Sequence, residues 1–169
     1  MAKVAFVLAD DFEDSEFKKP YDSISQAGHQ ITVIGTKAGT EVKGKKGKEK
    51  FEVEKTPDQV SADQFDALVI PGGYSPDKLR MDDGIVNFVQ KFFADDKLVA
   101  AICHAPSLLV EANAVDGRRL TSWPSVRTDV INAGGRWEDD EVVEDGNLIT
   151  SRKPDDLDAF DNAILKRLK

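Results

Sequence analysis

A chain of 169 residues, 40% hydrophobic and 32% charged, has the length and balance of one ordinary globular domain with a real core. Its net charge of −8 excludes a general nucleic-acid binder, because phosphate backbones are held by basic surfaces. No apolar stretch approaches a membrane span, the opening apolar run is too short for a signal peptide, and a lone cysteine cannot close an intrachain disulfide, so a soluble cytoplasmic protein with no membrane partner is expected.

In chain order, residues 3–9 form a compact apolar run that suits a strand buried on both faces. Residues 15–27 have helical spacing, with Phe17, Tyr21, Ile24 and Ala27 on one face, Pro20 early in the segment and Gly28 as C-cap. A strand over 30–35 completes a βαβ unit, which requires a parallel sheet. Residues 37–55 are rich in Lys and Gly and read as a hairpin or excursion at a sheet edge. The lysine run 43–50 reads there as a solvated loop, given the negative total. A buried strand over 66–70 ends in Pro71, Gly72 and Gly73. Residues 82–94 form an amphipathic helix with Ile85, Phe88, Val89, Phe92 and Phe93 inward. Residues 98–102 form a central strand and 106–112 a helix. A further helix spans 125–132, two short strands lie within 137–150 around the Asp145-Gly-Asn147 turn, and a terminal helix covers 155–168. No repeat, linker or second domain interrupts residues 1–169, and the expected class is α/β.

The only cysteine stands where the apolar run 98–102 stops and a helix begins. Strand, sharp turn with a nucleophile, helix is the nucleophile-elbow pattern, here Ala101-Ile-Cys-His-Ala105. A helix start carries free N–H groups and a partial positive charge, so Cys103 is expected to have a lowered pKa and to react as thiolate. In open parallel sheets, sites lie beyond the carboxyl ends of the strands. Three such ends converge on one edge: the acidic turn with Glu13, the Gly72-Gly73 turn, and Cys103-His104. The backbone N–H groups of Gly72, Gly73 and His104 can form an oxyanion hole. Glu13 can hydrogen-bond the thiol, provided burial keeps it protonated. His104 is the candidate general base, since His29 follows the helix cap and reads as a connection residue. Neighbouring residues at a helix start point ~100° apart, so His104 needs a partner to turn it toward the sulfur. Trp123 and Trp137 read as core or interface. There is no metal constellation, because Cys103 and His104 lack a second pair at ligand spacing.

These segments resemble the PfpI-type intracellular cysteine peptidase family (ThiJ/PfpI), within the superfamily of the Parkinson-associated protein deglycase and the class I glutamine amidotransferases. The resemblance is carried by Asp11 to Asp14 with Pro20, by Ala27 to His29, by Ile70 to Gly73 followed by Ser75 to Arg80, and by Ala101 to His104. It continues through Asp129 to Gly134 with Trp137, Asp145 to Asn147, and Thr150 to Arg152 with Pro154 and Leu157. It implies a flavodoxin-like three-layer sandwich, a mostly parallel sheet with helices on both faces. It also implies Cys103 as nucleophile, a carboxyl at Glu13 touching it, and His104 oriented by Asp77 from an adjacent subunit of a homo-oligomer, a dimer or hexamer. No cofactor is implied. Two positions depart from the family pattern: Ala105 stands where glycine is usual, and Asp77 is one methylene shorter than the common glutamate. The amidotransferase His-x-Glu pair is missing from Thr150 to Pro154. The implied activity is cysteine-dependent hydrolase or lyase chemistry linked to stress, on small carbonyl adducts (deglycase or glyoxalase type) or on peptides. The alternative is a non-enzymatic sensor or chaperone-like protein that uses oxidation of Cys103.

Overall fold

The structure is a computed structural model that describes residues 1–169. β1 (Lys3–Val7) leads through the acidic turn into α1 (Asp14–Gln26), and β2 (Gln30–Ile34) returns parallel to β1. α1 runs through Pro20 without ending there. Its apolar face is locked by an aromatic cluster: Phe17 packs edge-on against Phe6 and Phe12, with ring centroids 5.8 and 5.2 Å apart. β3 (Glu41–Lys43) and β4 (Lys50–Glu52) form a separate antiparallel hairpin. β5 (Ala67–Ile70) is followed by α2 (Ser75–Leu79), a short helix begun by Pro76 that the sequence reading did not anticipate. α3 (Asp83–Ala94) opens with the Asp82 side chain accepting from the Ile85 N–H at 3.0 Å, an N-cap. It buries Ile85, Phe88, Val89 and Phe92.

β6 (Leu98–Ile102) is wholly buried and precedes α4 (Pro106–Glu111). β7 (Arg119–Leu120) pairs with β8 (Arg136–Trp137), with α5 (Arg127–Asn132) between them. β9 (Val143–Asp145) and β10 (Leu148–Ser151) make the expected turn at Gly146, and α6 (Leu157–Arg167) closes the chain.

The main sheet has the order β2-β1-β5-β6-β10-β9, parallel except for the edge strand β9. One core fills the face between the sheet and α2–α5, around Leu68, Ile70, Phe92, Val99 and Leu109. A second fills the face under α1 and α6, around Phe6, Phe12, Phe17, Val69 and Phe160. This is the three-layer, flavodoxin-like sandwich expected. Because β1, β5 and β6 are mutually parallel neighbours, their carboxyl ends open on the same edge. An isolated antiparallel bridge between Phe12 and Gly73 draws the first two of those turns together.

Candidate active site

The cysteine turn is built as an elbow. Cys103 has φ +66°, a left-handed conformation that costs a side-chain-bearing residue roughly 1–2 kcal/mol and is kept only where the surroundings enforce it. Here they do. The Cys103 N–H donates to the Ser151 carbonyl at 3.0 Å, and the Cys103 carbonyl accepts from Trp123 N–H at 2.9 Å. Ala105 has an ordinary helical φ of −57°, so the methyl that replaces the family's usual glycine meets no backbone constraint.

The carboxyl that meets the thiol is Glu16, which corrects the expectation for Glu13. Glu16 is fully buried, its Oε1 accepts the Gly72 N–H at 2.9 Å, and the carboxyl lies beside Cys103 with its Oε2 free of any hydrogen-bond partner. Gly72 is what allows this approach: a Cβ there would fall 2.5 Å from Glu16 Oε1 and 2.9 Å from Cys103 Cβ. Glu13, one helical turn earlier, faces the other way. Its Oε1 pairs with Lys46 Nζ at 2.9 Å and lies 3.7 Å from Lys45 Nζ. The signal for Glu16 was present in the sequence. Glu16, Pro20 and Ile24 recur at i+4, which puts a carboxylate on the buried stripe of α1.

Burial, with the neighbouring charge of Glu13 second, pushes Glu16 up to about 8. Burial followed by Glu16 also pushes the Cys103 thiol up. The expected resting thiolate is therefore corrected to a thiol. α4 has only six residues and starts three positions beyond Cys103, so its terminus offers little to offset desolvation of a sulfur that is 8% exposed. His104 moves the opposite way. Burial first and Lys45 second lower its pKa, leaving a neutral imidazole at pH 7. Its Nδ1 lies 3.4 Å from Cys103 Sγ and its Nε2 3.4 Å from Ser125 Oγ. With Nδ1 as acceptor for the thiol proton, Nε2–H donates to Ser125. The residue within reach of the far ring nitrogen is Ser125, in the turn just before α5, which sequence reasoning missed.

Of the three expected oxyanion donors, Gly72 is already committed to Glu16. The Gly73 N–H makes no hydrogen bond within the chain, and the His104 N–H faces the sulfur. Gly73 has φ +79°, and a Cβ there would collide with Glu13 N at 2.4 Å, so only glycine presents that amide in this way. Beside this cluster lies a cavity of about 380 Å³ lined by Gly73, Tyr74, Asp77, Arg80, His104 and Ser125, among others. Asp77 of the same chain is exposed on its wall and makes no hydrogen bond to His104.

Residues 2–167 match the model of the DJ-1/PfpI family. The chain is 48% identical to General stress protein 18 of Bacillus subtilis, covering 99% of this chain and 98% of that protein. It is 47% identical to Protein/nucleic acid deglycase 2 of Escherichia coli, covering 98% and 97%. Among solved structures it superposes with TM-score 0.98 and 42% identity on an Anabaena variabilis protein with a DJ-1/ThiJ/PfpI-like and a ferritin-like domain. That match covers 99% of this chain and 48% of the larger one, so the chain spans about half its length. No helix is long and apolar enough to cross a membrane. By the family model that spans it, by its relatives and by its fold, the chain belongs to the DJ-1/PfpI family.

Proposed function

We propose that the chain is a cysteine-dependent deglycase acting on small carbonyl adducts of thiols and amines. The observation that carries this reading is one cluster: a thiol between a carboxyl held near neutrality and a neutral imidazole, next to the unpaired Gly73 N–H and a cavity of about 380 Å³. His104 Nδ1 takes the proton as Cys103 sulfur adds to the adduct's carbonyl carbon. The carbonyl oxygen becomes an oxyanion, received by the N–H groups of Gly73 and His104. Protonated Glu16 donates to the sulfur while it carries charge. For a methylglyoxal adduct the net reaction consumes one water, releases the thiol or amine and yields lactate, so no oxidant enters the balance. Deglycase 2 of Escherichia coli bears a name of this kind at 47% identity.

The same thiol can add to a peptide carbonyl, and the fluorogenic peptide in the assay below separates that reading from the deglycase one. Oxidation sensing is the weaker reading, because a sulfur held as thiol by burial is a slow peroxide target. In a homo-oligomer Asp77 of a neighbouring subunit could approach His104 as the resemblance implies. Ser125 is already within reach of the ring in one chain, so turnover on this reading does not wait for assembly.

The test is a side-by-side assay on the methylglyoxal adduct of N-acetylcysteine, the corresponding adduct of N-acetyllysine, and a fluorogenic peptide. Lactate release from the adducts with negligible peptide cleavage is expected. Efficient peptide cleavage without lactate release overturns the deglycase reading.

A further inference from the structure

The lysine run 43–50 is solvent-exposed in its side chains, as its composition suggests, but its backbone is pinned to the body of the protein. Asp14, buried at the start of α1, accepts the backbone N–H groups of Lys46, Lys48 and Glu49, each at 2.9 Å. The Lys45 N–H donates to the Phe12 carbonyl at 2.9 Å, and the Asp11 N–H donates to the Lys43 carbonyl at 2.7 Å. The tip of the β3–β4 hairpin is thus sewn onto the turn between β1 and α1, the same turn that delivers Glu13 and Glu16. With the Lys43 N–H to Asp10 Oδ1 at 2.9 Å, six hydrogen bonds tie the charged tip to the site's own turn, four of them to side-chain carboxylates.

We propose that Lys45 is an anion-recognition subsite at the mouth of the Cys103 site, selecting carbonyl adducts that carry a carboxylate or phosphate near the carbonyl. The inference deepens the deglycase reading and rests on it for the nature of the adduct. Its ground is the distribution of partners among the nearby cations. Lys46 holds Glu13 at 2.9 Å, Lys78 holds Asp11 at 3.3 Å, and Arg80 holds Glu111 at 3.0 Å. Lys45 has only a longer, shared ion pair. It stands 3.7 Å from the Glu13 oxygen already taken by Lys46, and 5.8 Å from the ring centre of Tyr74, a residue of the cavity wall. Two ammonium groups share that carboxylate, while the neighbouring Asp14 carboxylate is taken up by three backbone N–H groups. The field of Lys45 reaches the site: it is among the charges that act on Glu16, Cys103 and His104, in each case in the direction of a nearby cation. The wall also carries Asp77 and Asp129, which have no ion pair, so the anion belongs on the Lys45–Tyr74 side of the cavity.

Iodoacetate and iodoacetamide are close in size and differ by one charge, and Cys103 is the only thiol they can alkylate. The rate ratio, iodoacetate over iodoacetamide, is read by intact-protein mass spectrometry and normalised to the ratio for the same protein unfolded in urea. A native ratio ~3- to 10-fold above the unfolded one is expected, as one cation several ångströms away would give. Lys45→Met should bring it close to one, Lys45→Arg should keep it, and high salt should shrink it. A native ratio equal to the unfolded one, or one that survives Lys45→Met, overturns the subsite. Protection of Cys103 from iodoacetamide distinguishes the two anions: stronger protection by inorganic phosphate points to phosphorylated adducts, stronger protection by lactate to carboxylated ones, and protection by neither counts against the proposal. Alkylation needs a reachable thiol but no turnover. A preserved charge ratio without lactate release would defeat the deglycase reading alone, and lactate release without a charge ratio would defeat the subsite alone.

Discussion

Replacing Glu16 by alanine is expected to lower kcat/KM for the methylglyoxal adduct by ~10²-fold or more, whereas Glu13→Ala should cost less than ~10-fold. Of the two glutamates, Glu16 lies beside the thiol, and Glu13 pairs with the hairpin lysines. The isosteric Glu16→Gln variant adds a second readout. The Glu16 carboxyl is raised from an ordinary 4.5 to about 8, so the folded state holds a proton there that the unfolded chain has released. Stability from this group is therefore present below about pH 4.5 and declines as pH rises toward 8. Glutamine can still accept the Gly72 N–H and does not titrate. The stability of Glu16→Gln relative to the parent should increase between pH 5 and pH 8, by on the order of a few kcal/mol. Urea denaturation at the two pH values measures it. A constant difference would mean that Glu16 is ionised in the folded protein.

Gly73→Ala should be the most damaging single methyl. The backbone has φ +79°, and the added carbon meets Glu13 N at 2.4 Å and Asp11 O at 2.6 Å, all backbone that cannot swing aside. The left-handed conformation and the overlap together should destabilise the fold by on the order of 3 kcal/mol or more. Relief of that overlap displaces the Gly73 amide, so the soluble fraction should also lose ~10²-fold in kcat, the scale of a lost oxyanion donor. Denaturation midpoints and kcat on the same preparation separate the two effects. By contrast, Gly28, with φ +91° and nothing within 4 Å of its missing Cβ, has only the conformational part to lose.

The frame of this site was legible in the sequence for a definite reason. β1, β5 and β6 are buried on both faces, so they show as unbroken apolar runs, and parallel pairing then fixes which ends meet. Cys103 stood out because it ends one of those runs. α2 was missed because Ser75 and Pro76 after two glycines look like the rest of a turn, and five residues give no periodicity to read. The strand-end turn and the resemblance both point to Glu13, while the buried stripe through Pro20 and Ile24 selects Glu16. The exposed hairpin of the lysine run was legible, but not the pinning of its backbone. Its charge is that of solvated loops, and the Asp14 carboxylate that pins it lies 32 to 35 residues away in the chain. The resting state of the thiol was misjudged for a related reason. A helix terminus can be inferred from local sequence, but the desolvation that outweighs it depends on how three distant turns close over the sulfur.

The central claim is that Cys103 carries turnover from within this cluster. The most direct measurement is lactate release from the methylglyoxal adduct of N-acetylcysteine by the parent protein and by Cys103→Ala at equal concentration. Loss of at least ~10³-fold is expected in the variant, with an unchanged circular dichroism spectrum. Release at the parental rate by Cys103→Ala would contradict it.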